Sequence, residues 1–458
     1  MKKNGEFKKV IGLFGGISLV AGMTIGSGIY YLGSYVLERT DFSLSYALLC
    51  WISGGIVSIL GGLCFAELGA SRPVAGGMTV YLSEAYHPAV GFINGFSLFI
   101  LTASGSTASL AMAAMSQLQS LFSFSDDILK LLSIVVIVLF TAINLRGAKE
   151  SVTVQNLTMI VRLIPLFLII IVGITIGRQS VDLSLPSIGA AVQGNGPISL
   201  ISFIGFGTFA SLWAYEGWTN LNTVGEEMKN PQRDLPLAII ISMVFVTFIY
   251  TVFQYAIFKV LPAETIISGI KSGDIFLGNI VARDILGEAG LVLVMICTLI
   301  GILGTMNGGI LVFPRTYYKM ACDGLFPKSF AHINSKTGVP VESTVASSIV
   351  AIILVIFNDL QQLTDLLIFL SALLNAMCVL AVLIYRKKFP DLKRPYKVWG
   401  GCVTVIITFV LYSVLCINEF ISNPKTALTG LAIPLTGLFV YAYFKKKNSL
   451  NSKTNNTD

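Results

Sequence analysis

Long apolar runs alternate with short polar ones along the chain. About twelve of the runs are long enough to cross a bilayer, near residues 10–36, 43–67, 88–118, 128–145, 152–177, 199–224, 236–260, 287–319, 342–358, 362–385, 400–421 and 427–444. A spanning helix needs roughly 20 mainly apolar residues. The longest polar connections, near 261–286 and 320–341, are too short for a soluble domain. Lipid offers no partner to open backbone groups, so such runs must close their hydrogen bonds as helices. The pattern predicts an all-α integral membrane protein with 12 transmembrane helices. The first run is Gly-rich and long, and eleven more follow it, so it reads as a span and not as a cleaved signal.

Composition agrees. Of 458 residues, 54% are hydrophobic and only 12% charged, with a mean hydropathy of +0.79. Soluble domains carry about a quarter charged residues. The net charge of +7 is explained by where the cations lie. With an even number of spans, 23 Lys and Arg fall on the side of both termini and 7 on the other. That bias places both termini in the cytoplasm, in a plasma membrane protein whose basic face meets anionic lipid rather than nucleic acid.

The expected organisation is a cytoplasmic N-terminus (1–9) and a core of ten helices (10–385) in two halves, about 10–177 and 199–385. Helices 11 and 12 lie within 386–444, and a polar, disordered tail spans 445–458. The seven cysteines form no CxxC pair and mostly sit in apolar runs, as small packing residues do. The two histidines, His87 and His332, fall in loops. No metal, cofactor or enzyme chemistry is expected from this set.

Three features break the apolar pattern. The first run carries G-G-I-S-L-V-A-G-M-T-I-G-S-G-I, with Gly22, Gly26 and Gly28 within seven residues. Each glycine costs about 1 kcal/mol in a helix interior. Close packing through Gly22-xxx-Gly26 is one reading. An unwound segment over 24–29, whose freed N–H groups face a carboxylate, is the other. The sixth run carries Glu216 amid apolar residues, flanked by Gly205, Gly207 and Gly217; a carboxylate there is costly and functional by default. The fifth run carries Arg162 about ten residues in, roughly 15 Å along a helix. It reads as a side chain reaching the interface, or as a fixed cation tying helices together. The breaks in runs one and six lie 190 residues apart (Gly26 to Glu216). Five spans between corresponding elements is the spacing of an inverted 5+5 repeat with a substrate at the crossing of two discontinuous helices.

Three segments, T-I-G-S-G-I-Y (24–30), Y-E-G-W-T-N-L-N-T-V-G-E-E-M-K-N-P-Q-R-D-L-P-L-A-I (215–239) and G-T-M-N-G-G-I-L-V-F-P-R-T-Y-Y-K-M-A-C-D-G-L-F-P (304–327), resemble the amino acid–polyamine–organocation superfamily. The L-amino acid transporter group and related bacterial exchangers are the most similar. The resemblance implies the LeuT-type 5+5 inverted repeat plus two C-terminal helices. It implies that the N–H groups of Ser27 and Gly28 and the Ser27 hydroxyl, beside Ile25 and Gly26, hold a substrate carboxylate. Carbonyls of Thr24, Trp213, Ala214 and Glu216 would take the ammonium, and Trp213 and Tyr215 would gate or line the pocket. Asn307 falls in the eighth-span motif near the side facing the first span. Arg162 stands where relatives usually have Lys, and Glu216 where they often have Gly or Asp. The stretch 118–128 lacks the cysteine that joins animal members to a heavy subunit, so none is expected.

The implied function is Na⁺-independent exchange of small or medium neutral amino acids. Rivals are proton-coupled symport, with Glu216 or Glu67 titrating, and exchange of cationic amino acids or polyamines, with Glu216 facing the second charge.

Overall fold

The computed structural model describes residues 9, 11–26, 28–74, 76–146, 148–184, 197–225, 228–273, 275–334 and 337–454. These residues are almost wholly helical; the sole bridge among them pairs Ile11 with Met228. In chain order the helices are α1 (Leu13–Thr24), α2 (Gly28–Arg39), α3 (Leu44–Ser71), α4 (Met78–Ala85), α5 (Pro88–Ser97), α6 (Ala103–Phe122), α7 (Asp126–Arg146), α8 (Ala148–Ile176), α9 (Pro197–Tyr215), α10 (Pro231–Val260), α11 (Ala263–Lys271), α12 (Leu277–Val312), α13 (Pro314–Cys322), α14 (Val341–Phe357), α15 (Leu360–Lys388), α16 (Cys402–Ser422) and α17 (Pro424–Thr454).

Local chemistry sets several ends. His87 caps α5, accepting from the Ala89 N–H at 3.1 Å, with Pro88 as the first helical residue. Asp359 caps α15, accepting from Gln362 N at 2.7 Å, and Arg386, Lys387 and Lys388 close that helix. Caps satisfy orphan N–H groups, and terminal cations complement the helix dipole. Between α5 and α6 the chain makes one π-helical turn, Leu98–Thr102, a feature the apolar pattern did not indicate.

Eight helical segments are long and apolar enough to cross a membrane, and α1 with α2, bent by 46°, makes a ninth. Shorter apolar helices cover Ile160–Ile176, Ser199–Tyr215 and Val341–Phe357. The described chain is thus an integral membrane protein. α3 packs against α10 and α9, α1 against α10, α8 against α12 and α10, and α6 against α12, α14 and α15.

The sixth run is interrupted beside Glu216 and Gly217: α9 stops at Tyr215, and Trp218–Thr223 forms a 3₁₀ turn. One expectation changes. The tail is not disordered through its described part, because α17 runs on to Thr454. Nothing in 445–454 is a Pro or Gly, so no breaker ends the helix there. Residues 1–8 and 455–458 of the expected termini lie outside the described residues.

Candidate functional site

The first helical break falls where the glycines cluster. α1 ends at Thr24 and α2 resumes at Gly28. The Gly26 N–H folds back onto the Thr24 carbonyl at 2.7 Å. The second break follows α9, where the Glu216 N–H closes a turn on the Trp213 carbonyl at 3.1 Å. Gly217 then takes φ +135°, a conformation open to glycine.

The two breaks touch. A Cβ on Gly28 would lie 2.7 Å from the Ala214 Cα, and one on Gly217 would lie 2.8 Å from the Met23 carbonyl carbon and the Thr24 nitrogen. Both glycines therefore serve the crossing of two broken helices rather than simple helix packing.

A cavity of about 120 Å³ sits at this crossing. Its wall includes Thr24, Gly26, Gly28, Trp213 and Glu216 from the expected set. It adds Asn94, Leu98, Thr102 and Ser106 around the π-helical turn, Thr305 from α12, and Ser371 and Asn375 from α15. A narrower recess continues past Glu216 between Ser58, Ser371, Asn375 and Tyr412. The lining extends to Met78, Asn220 and Phe313 at one end. Toward the other end Tyr31 is fully buried, its hydroxyl 3.4 Å from that of Thr364.

Arg162 is 1% exposed and does not reach an interface. Its Nη1 donates to the carbonyls of Gly22 (2.6 Å) and Ile25 (3.1 Å) and to the Thr305 hydroxyl (3.0 Å). These are the carbonyls that the end of α1 leaves without helical partners. The Tyr30 hydroxyl in turn donates to the Arg162 carbonyl at 2.6 Å. The side chain thus ties α8 to the end of α1 and to α12, while Tyr30 ties α2 to the Arg162 backbone.

Other expected residues are placed differently. The Tyr215 hydroxyl donates to the Trp51 carbonyl at 2.8 Å, so this ring is turned into α3 and does not line the cavity. Ile25 is buried off the cavity wall. Asn307 accepts from Asn144 Nδ2 on α7 at 2.9 Å, and Thr305, two residues earlier on α12, lies 3.3 Å from a Cβ on Gly26. Ser27 lies outside the described residues.

Tyr250 on α10 escaped the sequence reading. Its hydroxyl lies 2.8 Å from the Thr24 carbonyl and 3.1 Å from the Ala214 carbonyl, bridging the two breaks. A tyrosine within an apolar helix gives no sequence sign of this, because its phase toward the site is unknown until the helix is packed. With the Gly26 N–H also bound, both lone pairs of the Thr24 carbonyl are engaged.

Charge burial is wider than two residues. Glu67 is 2% exposed and takes both Arg386 Nε (2.8 Å) and Nη2 (2.6 Å), plus the Val398 N–H (2.7 Å). Glu419 is fully buried with Asn423 at 2.8 Å. Among the described residues no cluster of His, Cys, Asp and Glu is placed to hold a metal.

A profile described as "Amino acid permease" matches residues 11–443. The serine/threonine exchanger SteT of Bacillus subtilis (strain 168) is 30% identical over 98% of this chain and 99% of its own length. The mouse (Mus musculus) b(0,+)-type amino acid transporter 1 is 29% identical over 97% of this chain and 90% of its own. The human (Homo sapiens) cystine/glutamate transporter is 27% identical over 96% and 86%. The chain belongs to the amino acid permease family of the amino acid–polyamine–organocation superfamily.

Proposed function

We propose that this protein exchanges small or medium neutral L-amino acids across the plasma membrane, independently of Na⁺, by alternating access. The observation that carries the reading is the glycine-mediated contact of the two broken helices over one cavity. Half-helix N-termini at such a crossing point at anionic substrate groups such as an α-carboxylate, and unwound backbone carbonyls face a cation. The similarity to SteT, a serine/threonine exchanger, supports exchange.

We read the architecture as twelve spans in a LeuT-type 5+5 inverted repeat, 10–177 and 199–385, with two added helices. The packing supports this. Exchanging spans one to five with six to ten maps the α1–α10 contact onto α9–α3, α8–α12 onto α15–α6, and α8–α10 onto α15–α3, each of which is present. The connections after spans two and seven both carry a short helix, α4 and α11. The Lys and Arg bias puts both termini in the cytoplasm, so the cavity extends toward that side.

Na⁺ independence rests on Arg162. The oxygens of Gly22, Ile25 and Thr305 converge on a guanidinium that keeps its charge at all physiological pH. With 118–128 lacking cysteine, the chain acts without a disulfide-linked heavy subunit. Uptake of labelled serine into proteoliposomes tests the exchange: uptake is expected to need internal amino acid, and equal uptake into empty and preloaded vesicles overturns it.

A second reading follows from Glu216, which belongs to the cavity wall. It suits a second positive charge on the substrate, or a transported proton. Competition by arginine or putrescine against labelled serine favours the first; uptake driven by a pH gradient into empty vesicles favours the second.

A further inference from the structure

A second cavity, of about 580 Å³, lies away from the transport site, in the connection between α15 and α16. Arg386, Leu392, Arg394, Lys397 and Val398 line it. Six cations, Arg386, Lys387, Lys388, Lys393, Arg394 and Lys397, fall within residues 386–397 against one acid, Asp391. Glu67 neutralises Arg386 through two of its nitrogens, and the third meets only the Cys402 sulfur at 3.4 Å.

Arg394 spends its Nη1 and Nη2 donors on four carbonyls, those of Pro390, Leu392, Tyr385 and Phe389. It shapes the loop, yet none of these acceptors carries a charge. Lys397 is exposed and has neither a hydrogen bond nor an ion pair among the described residues. The cavity wall therefore keeps at least two uncompensated positive charges, and a cavity of one sign concentrates the opposite ion.

The rim says which anion. Trp399 follows directly and is 64% exposed, and α16 then presents Val403, Ile406 and Ile407 outward. An exposed tryptophan beside an apolar helix face marks the membrane–water interface. Basic pockets at this level take phosphate-bearing headgroups, and each juxtamembrane cation adds about 1 kcal/mol of attraction to an anionic leaflet.

We propose that this cavity binds a phosphate group, held there as the headgroup of an anionic phospholipid whose acyl chains lie along α16. Because Glu67 on α3 grips both Arg386 and the Val398 N–H, an occupied cavity bears on α3 and α15 together.

The test is native mass spectrometry of the full chain released from mixed phosphatidylglycerol and phosphatidylcholine. The wild type is compared with Lys397→Gln and with Lys393→Gln/Lys397→Gln, which spare the loop bonds of Arg394. Wild type is expected to retain phosphatidylglycerol several-fold over phosphatidylcholine, and the variants to lose that preference with an unchanged melting temperature. Excess inorganic phosphate forms a separate arm. Phosphatidylglycerol that stays bound supports the lipid; complete displacement assigns the cavity to a soluble phosphate and overturns the lipid. Equal retention of both lipids by wild type, or a preference that the variants keep, overturns the site.

Discussion

Arg39 Nη2 lies 2.7 Å from Asp365 Oδ1, and the same guanidinium sits 4.4 Å from the Phe206 ring centroid. Three elements, α2, α9 and α15, are thereby held together at the end of the cavity opposite Met78 and Phe313. Both side chains of the pair are nearly buried, at 7% and 13% exposure, so solvent screens the attraction far less than at a surface.

Asp365→Asn keeps the shape and removes the charge. With Cys322 and Cys402 replaced by serine and a cysteine placed at Ser371 on the cavity wall, labelling by an impermeant thiol reagent from outside is expected to rise several-fold. Unchanged labelling shows that the pair does not hold this end shut.

Gly217→Ala puts a Cβ against backbone atoms at 2.8 Å, in a conformation closed to L side chains. Strain of this kind costs on the order of 1–3 kcal/mol before any overlap is counted. Serine exchange is expected to fall more than tenfold and the melting temperature to drop. Gly12→Ala, where a Cβ meets nothing within 4 Å, is the matched control and is expected to behave as wild type. Gly26 replaced by a bulky residue meets Thr305 and should also abolish exchange; wild-type uptake in either variant counts against the crossing as the working site.

Arg162→Lys keeps a cation but loses the planar guanidinium whose Nη1 meets two carbonyls and a hydroxyl. Lysine releases its proton readily when buried, whereas arginine does not. Exchange by this variant is expected to fall as pH rises, while the wild type stays flat over the same range. A pH profile identical to wild type refutes the fixed-cation role.

Tyr250→Phe removes the hydroxyl that joins the Thr24 and Ala214 carbonyls. One hydrogen bond contributes about 1 kcal/mol, enough to raise KM for serine several-fold by loosening the two breaks. Initial rates over a range of serine concentrations check this; an unchanged KM leaves Tyr250 as packing.

The breaks were legible because glycine clusters and a carboxylate are costly within apolar helices, and a sequence shows such costs directly. Gly26 and Glu216, legible in this way, line the cavity, as does Trp213, which only the family resemblance indicated. The residues that complete it were not legible. Tyr250 and Thr305 look like ordinary members of apolar helices, and only packing fixes which way they face. Asn307, two residues from Thr305, accepts from Asn144 on α7, a contact that no sequence pattern announces. Glu67 reads in the sequence as a candidate titrating carboxylate; its partners are more than 300 residues away, where no local pattern shows them.

That last separation has a consequence for biosynthesis. The carboxylate of Glu67 is buried, but Arg386 follows 319 residues later in the chain and Val398 331 residues later. A ribosome adding about 5–20 residues per second needs roughly 15–60 s to reach them. For that interval α3 carries an acid whose counter-charge has not yet been made. The clamp closes only when α15 and the residues after it have been made, so a chain stopped short of Arg386 is marked as incomplete by an unpaired charge in α3.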